Sequence, residues 1–451
     1  MKKILKLLAG LVVIVLLVGI GMLTFGYQPT LYLMPTPVAI SAGELNPFDL
    51  NPEQEKSNEL QILFATNRIP LGKTENQMYT IFPDNTLHMG IAHMTIGEKE
   101  TPWENLFNLS TTANKDRRPA LRLEKLEELA QYPLKGSEVA EPVNTKGMAD
   151  MVNQALERSI DKDITIYVHG ANTGVYRASA QAAQYHHFTG QNSVVLVFLW
   201  PSAENLFAYG TDERHALRSA PAFARLLRLL SEHTNTENIN ILTYSAGVQI
   251  ASPALSIIGS NTIKEKRKDA RIGEIYFAAA DIGVDTFTKH LKNYIDMPRS
   301  TTLAINLNDS VLTLAAWRAK ISRAGNPDTG DLSEEKNKWI QNASIKRGLN
   351  IIKVSAETVS GMSSRSHDYW FTHPWVSSDV LTQLLFHKTP AQRGLAETVN
   401  EEQVRYWLVP ADYPERIIEI LIQAVATRRG GEPPVQRVLR SSLTDLAIAS
   451  M

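Results

Sequence analysis

The stretch Asn240-Ile-Leu-Thr-Tyr-Ser-Ala-Gly-Val248 indicates a buried strand that ends at a serine and turns directly into a helix. A small residue on either side of Ser245 is typical of the G-x-S-x-G turn, which lifts a nucleophilic serine above the edge of a sheet. Gly247 fits this pattern, whereas Thr243 departs from the usual glycine. Ala246 would place its backbone N–H at the positive end of the helix, where an oxyanion could be held. The alternative is an ordinary turn in which the serine caps the helix.

Apolar runs on both sides of this stretch predict further buried strands, separated by helices. The predicted strands are Leu60–Thr66, Thr86–Ile96, Ile164–Val168, Val194–Leu199, Ile239–Thr243, Glu274–Ala280, Thr301–Leu307 and Leu349–Val354. The predicted helices are Arg117–Tyr132, Gly147–Ser159, Tyr176–Phe188, Glu213–His233, Gly247–Ile258, Thr286–Tyr294, Leu312–Arg323 and Leu332–Ile345. A Pro/Asn/Asp turn is expected between the first two strands. This alternation predicts an α/β fold, a mostly parallel sheet with helices on both faces.

Polar residues after the later strands are candidates for an acid and a base. Asp309 follows Thr301–Leu307, and His367 lies in the polar loop after Leu349–Val354. In the chain order Ser, Asp, His, the imidazole of His367 would accept the proton of Ser245. Asp309 would fix the orientation of that ring and stabilise its protonated form.

Two other residues compete for these roles. Asp281, in Ala280-Asp281-Ile282, ends an earlier strand and is the alternative acid, although the acid usually follows the later strand. Capping of a helix is the commoner use of either aspartate. His373, which precedes Pro374, is the alternative base, but its greater distance from the strand favours a loop residue.

The segment Val168-His-Gly-Ala-Asn172 follows an earlier strand. Hydrolases with a serine turn place their second oxyanion donor at this point, so Ala171 or Asn172 would supply a backbone N–H. His169 is predicted to support this loop and not to titrate during catalysis. Trp200, at the end of the next strand, is predicted to line the substrate site, or else to pack against the sheet.

Composition narrows the possible chemistry. The 451 residues include no cysteine, which excludes disulfides, a thiol nucleophile and thiolate metal sites. The 46 Lys and Arg balance 47 Asp and Glu, which argues against a nucleic-acid partner. The sequence has no H-E-x-x-H motif and no glycine-rich phosphate loop, so neither a metal nor a cofactor is predicted.

The amino-terminal residues predict a membrane anchor. Three lysines precede the uncharged run Leu7–Phe25, whose 19 residues suit one bilayer-spanning helix. No Lys or Arg follows until Lys56, which predicts a cytoplasmic amino end and an exported body. A cleaved signal peptide is the alternative, but its apolar core is usually shorter. The pattern predicts a single-pass protein of a bacterial inner membrane, with its body in the periplasm or another extracytoplasmic space.

These residues together resemble the bacterial esterase/lipase-like α/β-hydrolases of uncharacterised function, from about Leu33 to Tyr413. The matching segments are Leu33-Met-Pro-Thr-Pro37, Phe64-Ala-Thr-Asn-Arg68, Val168-His-Gly170, Phe198-Leu-Trp-Pro-Ser202, Tyr244-Ser-Ala-Gly247, Ala280-Asp-Ile282, Asn308-Asp309, His367 and Pro410–Pro414. Members of that family usually carry His-Ser-Met-Gly where this chain has Tyr244-Ser-Ala-Gly247. The resemblance implies an α/β-hydrolase fold and a serine hydrolase mechanism, but no particular physiological substrate.

The expected organisation has five parts. These are a transmembrane anchor (1–27), a proline-rich tether (28–58), a β/helical extension (59–160), the α/β-hydrolase domain (161–428) and a carboxyl-terminal tail (429–451). The helical insertion Leu312–Ile345, which contains Trp317 and Trp339, could cap the site as a lid or could be a solvated helical face.

The expected function is hydrolysis of a small-molecule or lipid ester through an acyl-enzyme. The alternative is a scaffold of the cell envelope that kept the fold and lost turnover. The sequence leaves the oligomeric state open.

Overall fold

The computed structural model describes residues 29–41, 47–51, 56–73, 76–111, 118–134, 145–260, 269–400 and 404–428. The predicted anchor at 1–27 and the predicted tail at 429–451 lie outside these residues. Every helix within the described ranges is too short or too polar to cross a bilayer.

The described strands form one sheet of eleven, with the order β10-β11-β9-β8-β7-β6-β4-β5-β1-β2-β3. The strands are β1 Glu59–Lys73, β2 Asn76–Ile96, β3 Leu121–Pro133, β4 Ile164–Val168, β5 Val194–Phe198, β6 Ile239–Tyr244, β7 Ile272–Ala278, β8 Ser300–Ile305, β9 Leu349–Lys353, β10 Ala396–Val399 and β11 Arg405–Leu408. Neighbours from β11 through β1 pair in parallel, whereas β2, β3 and β10 are antiparallel additions at the two ends. The sheet is therefore mostly parallel, as predicted.

Helices cover both faces of the sheet. They are α1 Val38–Ser41, α2 Trp103–Thr111, α3 Thr145–Arg158, α4 Val175–Phe188, α5 Tyr209–His233, α6 Val248–Gly259, α7 Val284–Tyr294, α8 Ser310–Ala319, α9 Glu334–Lys346, α10 Tyr369–Thr372, α11 Pro374–Phe386 and α12 Tyr413–Arg428. Alternate residues of β4 enter two different cores: Tyr167 packs with α4 and α11, whereas Ile166 packs with α5 and α6. Successive side chains of a strand point to opposite faces of the sheet. Because both faces of β4 are covered by apolar cores, every residue of this strand is hydrophobic or buried.

The predicted helix at Arg117–Tyr132 is wrong, because these residues form the strand β3. Leu121 and Leu126 are both buried, although an unbroken strand would point residues five apart to opposite faces. Pairing with β2 passes directly from Leu123 to Lys125 and so skips Glu124, which shifts the alternation by one residue. A strand with such a bulge spaces its leucines two and three apart, which imitates helical periodicity.

The predicted turn between the first two strands is also wrong. Pro83 lies within β2 and is paired with Arg68, where the register of β1 and β2 is irregular. Proline is tolerated in a strand at such an irregularity, because no regular ladder hydrogen bond is lost there. The two strands therefore extend beyond the predicted Thr66 and form a long hairpin arm.

The interpretation of residues 28–58 as a free tether is wrong for the parts that the structure describes. Leu33, Ile40 and Phe48 are buried against the body. The Met34 N–H donates to the side-chain oxygen of Gln184 at 3.0 Å. Apolar residues between the prolines thus fix this segment on the surface of the sheet domain. The sheet is also continuous across residue 160, because β1 pairs with β5.

The segment Leu312–Ile345 does not form a single lid. It divides between α8 and α9, and α9 leads from β8 into β9 as a crossover helix. Ala343 is buried in the core and Trp339 packs against it. The other helix, α8, lies beside the candidate site.

Candidate active site

The site lies where the order of the parallel strands reverses. β4 lies between β6 and β5, so the connections on its two sides run in opposite directions along the sheet. Such a reversal opens a crevice outside the carboxyl ends of the strands, where α/β proteins bind their ligands. The loops that follow β4, β6, β8 and β9 carry the predicted site residues to this edge.

Ser245 occupies a strained turn between β6 and α6. Its φ of +52° lies in the left-handed region, which is uncommon for a residue with a side chain. A Cβ on Gly247 would lie 2.4 Å from the carbonyl oxygen of Val168, so only glycine fits there. Thr243 lies before the bend, within β6 and opposite Val168, and is fully buried. The departure from glycine at that position is therefore accommodated by the strand.

Hydrogen bonds join Ser245, His367 and Asp309 into one chain. The His367 Nε2 lies 2.9 Å from the Ser245 Oγ, and the His367 Nδ1 lies 2.7 Å from the Asp309 Oδ2. The carboxylate accepts, so Nδ1 carries the proton and Nε2 is left to accept the hydroxyl proton of the serine. The Asp309 side chain is fully buried, whereas the His367 side chain is 12% exposed.

Asp309 also caps a helix with its other oxygen. The Asp309 Oδ1 accepts the N–H groups of Val311 and Leu312, at 2.9 and 3.0 Å. The same side chain therefore caps the helix and contacts the imidazole of His367. The cap fixes the carboxylate, so its second oxygen is held towards the histidine.

Sequence reasoning missed the residues that hold the His367 loop. Asn306, buried one residue after β8, donates its amide to the carbonyl oxygens of Ser364 and Ser366, at 3.2 and 2.8 Å. The Tyr244 ring packs against the His367 ring, with 5.2 Å between centroids. A polar residue directly after a buried strand is the signal that could have identified Asn306.

The structure separates the two residues predicted to supply the second oxyanion donor. The backbone N–H of Asn172 donates to the Asp212 Oδ2 at 2.9 Å and so points away from Ser245. That expectation for Asn172 is therefore corrected, and Ala171 is left as the candidate. Asp212 also accepts the Ser202 hydroxyl at 2.9 Å, which ties the loop after β4 to the loop after β5. Burial raises the pKa of Asp212, against these hydrogen bonds, which lower it.

Trp200 packs against the loop that follows β4 and does not face an open cleft. The side chain is fully buried, and its indole N–H donates to the carbonyl oxygen of His169 at 2.8 Å. The His169 ring stacks on the indole with 5.1 Å between centroids. The expectation that Trp200 contacts substrate is corrected to its alternative, packing at the strand end.

The competing acid and base have structural partners. Asp281 is buried, forms an ion pair with Arg323 at 3.2 Å and accepts the Tyr209 hydroxyl at 2.5 Å. His373 caps α11, where its Nδ1 accepts the N–H of Trp375 at 3.3 Å. The Asp281 backbone N–H donates to the carbonyl oxygen of Ser245 at 3.1 Å, so Asp281 is linked to the serine through its backbone and not through its carboxylate.

Buried neutral histidines make the fold sensitive to acid. Burial, reinforced by the charge of Arg68, lowers the pKa of His169 to about 3. Burial also lowers the pKa of His186 to about 4 and that of His187 to about 3. The unfolded chain binds these protons near pH 6.5, so acid favours unfolding.

We expect the free energy of unfolding to fall as the pH decreases from 7 to 5, by about 2 kcal/mol for each of these histidines. Urea denaturation across this range measures the effect. In His186→Asn about one proton fewer should be taken up on unfolding, so the free energy of unfolding should decrease less over this pH range. A free energy of unfolding that is flat from pH 7 to 5 would show that these side chains are protonated in the fold.

A possible cation site and a large cavity lie away from Ser245. Asp161, Asp163 and His387 bring ligand atoms within 4.8 Å of one another in the described residues. The Asp163 Oδ2 already forms an ion pair with the His387 Nε2 at 3.2 Å, at the opposite edge of the sheet. A cavity of about 910 Å³ lies between the β1–β3 strands and α3, and none of the site residues named above lines it.

Fold and strand order define an α/β hydrolase. The family model described as alpha/beta hydrolase of unknown function (DUF900) matches residues 145–384, just over half of the chain. The chain belongs to that family, which confirms the resemblance seen in the sequence.

Solved structures and curated proteins add little. A crystal structure of esterase B from Lactobacillus rhamnosis with a tributyrin phosphonate is similar, at 15% sequence identity and a TM-score of 0.23. The likeness covers 37% of this chain and 63% of that chain, and it carries no argument about this protein. No curated protein matches the sequence.

Proposed function

We propose that this protein is a serine hydrolase that cleaves carboxylic esters through an acyl-enzyme. The observation that carries the proposal is the hydrogen-bonded chain from Ser245 through His367 to Asp309, with distances of 2.9 and 2.7 Å. The strained backbone of Ser245 supports it, because strain of this kind is concentrated at functional sites.

In the proposed reaction the Ser245 Oγ attacks the ester carbonyl carbon while the His367 Nε2 takes the hydroxyl proton. Asp309 stabilises the resulting imidazolium. The backbone N–H groups of Ala246 and Ala171 hold the oxyanion. Collapse of the tetrahedral intermediate breaks the bond to the leaving alkoxide, which takes the proton from His367. A water molecule, deprotonated by the same imidazole, then releases the acid and restores the serine.

A fluorophosphonate probe tests this proposal, because such a probe forms a stable phosphonyl bond only with a serine whose hydroxyl group is activated. The expected result is one label per chain, which peptide mapping assigns to Ser245. Labelling that maps elsewhere would overturn the assignment of the nucleophile. An intact protein that takes no label would favour the alternative, a scaffold of the cell envelope.

We also propose that Leu7–Phe25 anchors the body on the outer side of a bacterial inner membrane, on the basis of its length and the preceding lysines. Protease added to intact spheroplasts should then digest the body. A body that is protected until the spheroplasts are lysed would contradict this orientation.

A further inference from the structure

The helix α8 exposes apolar side chains beside the candidate site. Val311, Leu314 and Trp317 lie three residues apart on one face, and their exposed fractions are 46%, 65% and 79%. Leu312 and Ala315, on the other face, are buried against the body. The helix is therefore apolar on its solvent side as well as on its packed side, which is unusual for a surface helix.

Contacts at both ends place this face beside the site. Asp309 caps the amino end of α8 and contacts His367. At the other end the Arg318 guanidinium lies 5.2 Å from the centre of the Tyr209 ring. Phe207, two residues before Tyr209, is 66% exposed. We call the set Phe207, Leu307, Val311, Leu314 and Trp317 the apolar rim.

The cations at the carboxyl end of α8 suit anionic headgroups. The segment Ser310–Lys320 carries Arg318 and Lys320 and no acidic residue, and both cations are exposed. Tryptophan favours the boundary between water and lipid, where its ring is buried and its N–H stays wet. Exposed apolar side chains with flanking cations are typical of helices that lie on an anionic bilayer.

The short connection between the predicted anchor and the body would hold the edge of the sheet that carries the site near a membrane. The Leu31 N–H donates to the Tyr176 hydroxyl oxygen at 2.9 Å, so Leu31 is fixed beside the first turn of α4. That helix begins directly after the loop that contains Ala171. The apolar run ends at Phe25, and the six residues to Leu31 span at most about 20 Å when extended. An anchored chain would hold this edge of the sheet close to the bilayer.

We propose that the apolar rim docks the body onto an anionic phospholipid bilayer, with Ser245 facing the ester bonds of lipids in that surface. The docking is argued from the exposed face and rests on the proposed anchor at Leu7–Phe25, whereas the substrate class rests on the proposed hydrolase function. Two experiments test these parts separately.

The first experiment measures docking of the full chain. Because the sequence has no cysteine, Ala319→Cys gives one labelling site next to the rim, and Ser260→Cys gives a control site. Both positions are exposed, but Ser260 follows α6 at the opposite edge of the sheet. Each labelled protein is inserted into bilayer discs of phosphatidylcholine with phosphatidylglycerol. Nitroxide lipids should quench a fluorophore at position 319 about threefold more than one at position 260.

Equal, weak quenching at both positions in fully disc-bound protein would overturn the docking. Protection of position 319 that needs no lipid and rises with protein concentration would identify a second copy of the chain as the occupant, and would also overturn it. Neither result depends on whether the protein turns over an ester.

The second experiment tests the substrate class. We expect the double variant Leu314→Glu, Trp317→Glu to lower hydrolysis of a vesicle-embedded phospholipid about tenfold relative to hydrolysis of a water-soluble butyrate ester. Ile257→Glu, an exposed apolar position near the opposite edge, is the control and should leave this ratio unchanged. Equal losses on both esters would reject a docking role. Turnover of the soluble ester without any turnover of phospholipid would reject the lipid substrate and leave the hydrolase function intact.

Discussion

Replacing Ser245 by alanine is expected to lower the rate of ester hydrolysis by about 10⁴- to 10⁶-fold, because removal of the nucleophile leaves only the oxyanion donors and binding. The loss should appear in kcat, since the serine hydroxyl forms its bond only during the reaction. Steady-state hydrolysis of a short-chain ester measures the effect. Ser260→Ala, an exposed serine at the far end of α6, is the control and should keep its activity.

A second replacement at the same position separates loss of the nucleophile from loss of the fold. Ser245→Gly also removes the hydroxyl, but glycine adopts the φ of +52° without strain. We expect this variant to be inactive and to gain about 1 kcal/mol in free energy of unfolding. Near-normal turnover in either variant would show that another residue attacks the ester.

Residues at the ends of parallel strands were predictable from the sequence. Ser245, Asp309 and His367 follow β6, β8 and β9, and the carboxyl ends of parallel strands meet at one edge. Their spacing in the chain therefore matters less than their positions in strand–helix units. The apolar runs that mark those strands are the most reliable signal in the sequence.

The sequence did not predict which way individual backbone N–H groups and side chains point at the site. Asn172 and Ala171 are neighbours in one loop, and only the placement of Asp212 on α5 decides that the Asn172 N–H points away from the serine. Trp200 is buried, and its indole N–H donates to the carbonyl oxygen of His169, which belongs to another loop. Both outcomes depend on contacts between distant segments, which local patterns do not encode.

The prediction of a helix in place of strand β3 was wrong for a different physical reason. Its bulge opposite β2 shifts the alternation at Glu124, so that the apolar spacing resembles a helix. Such a shift is set by the partner strand and not by the residues of β3. The packing of Leu33 and Phe48, which lie within the supposed tether, depends in the same way on partners far along the chain.

Asp309→Asn should lower the activity with little effect on stability, whereas Asp281→Asn should lower the stability with little effect on activity. In Asp309→Asn the side-chain oxygen can still cap α8, but an NH₂ group replaces the oxygen that accepts the His367 Nδ1–H. The imidazole must then present the wrong tautomer to Ser245, so we expect kcat to fall about 10⁴-fold. Because asparagine caps a helix about as well as aspartate, the free energy of unfolding should change little.

In Asp281→Asn the activity should remain near normal while the fold weakens. Asp281 and Arg323 are both buried, and removal of the Asp281 charge leaves the guanidinium with the partly exposed Glu213, at 3.5 Å, as its acidic partner. We expect a loss of about 3 kcal/mol in free energy of unfolding, at the lower end for breaking a buried ion pair, because Glu213 still compensates part of the Arg323 charge. Ester turnover and urea denaturation of the two variants, measured side by side, separate the catalytic aspartate from the structural one. Near-normal turnover in Asp309→Asn, or a 10⁴-fold loss in a folded Asp281→Asn, would transfer the acid role to Asp281, because the orientation of the imidazole would then depend on that carboxylate.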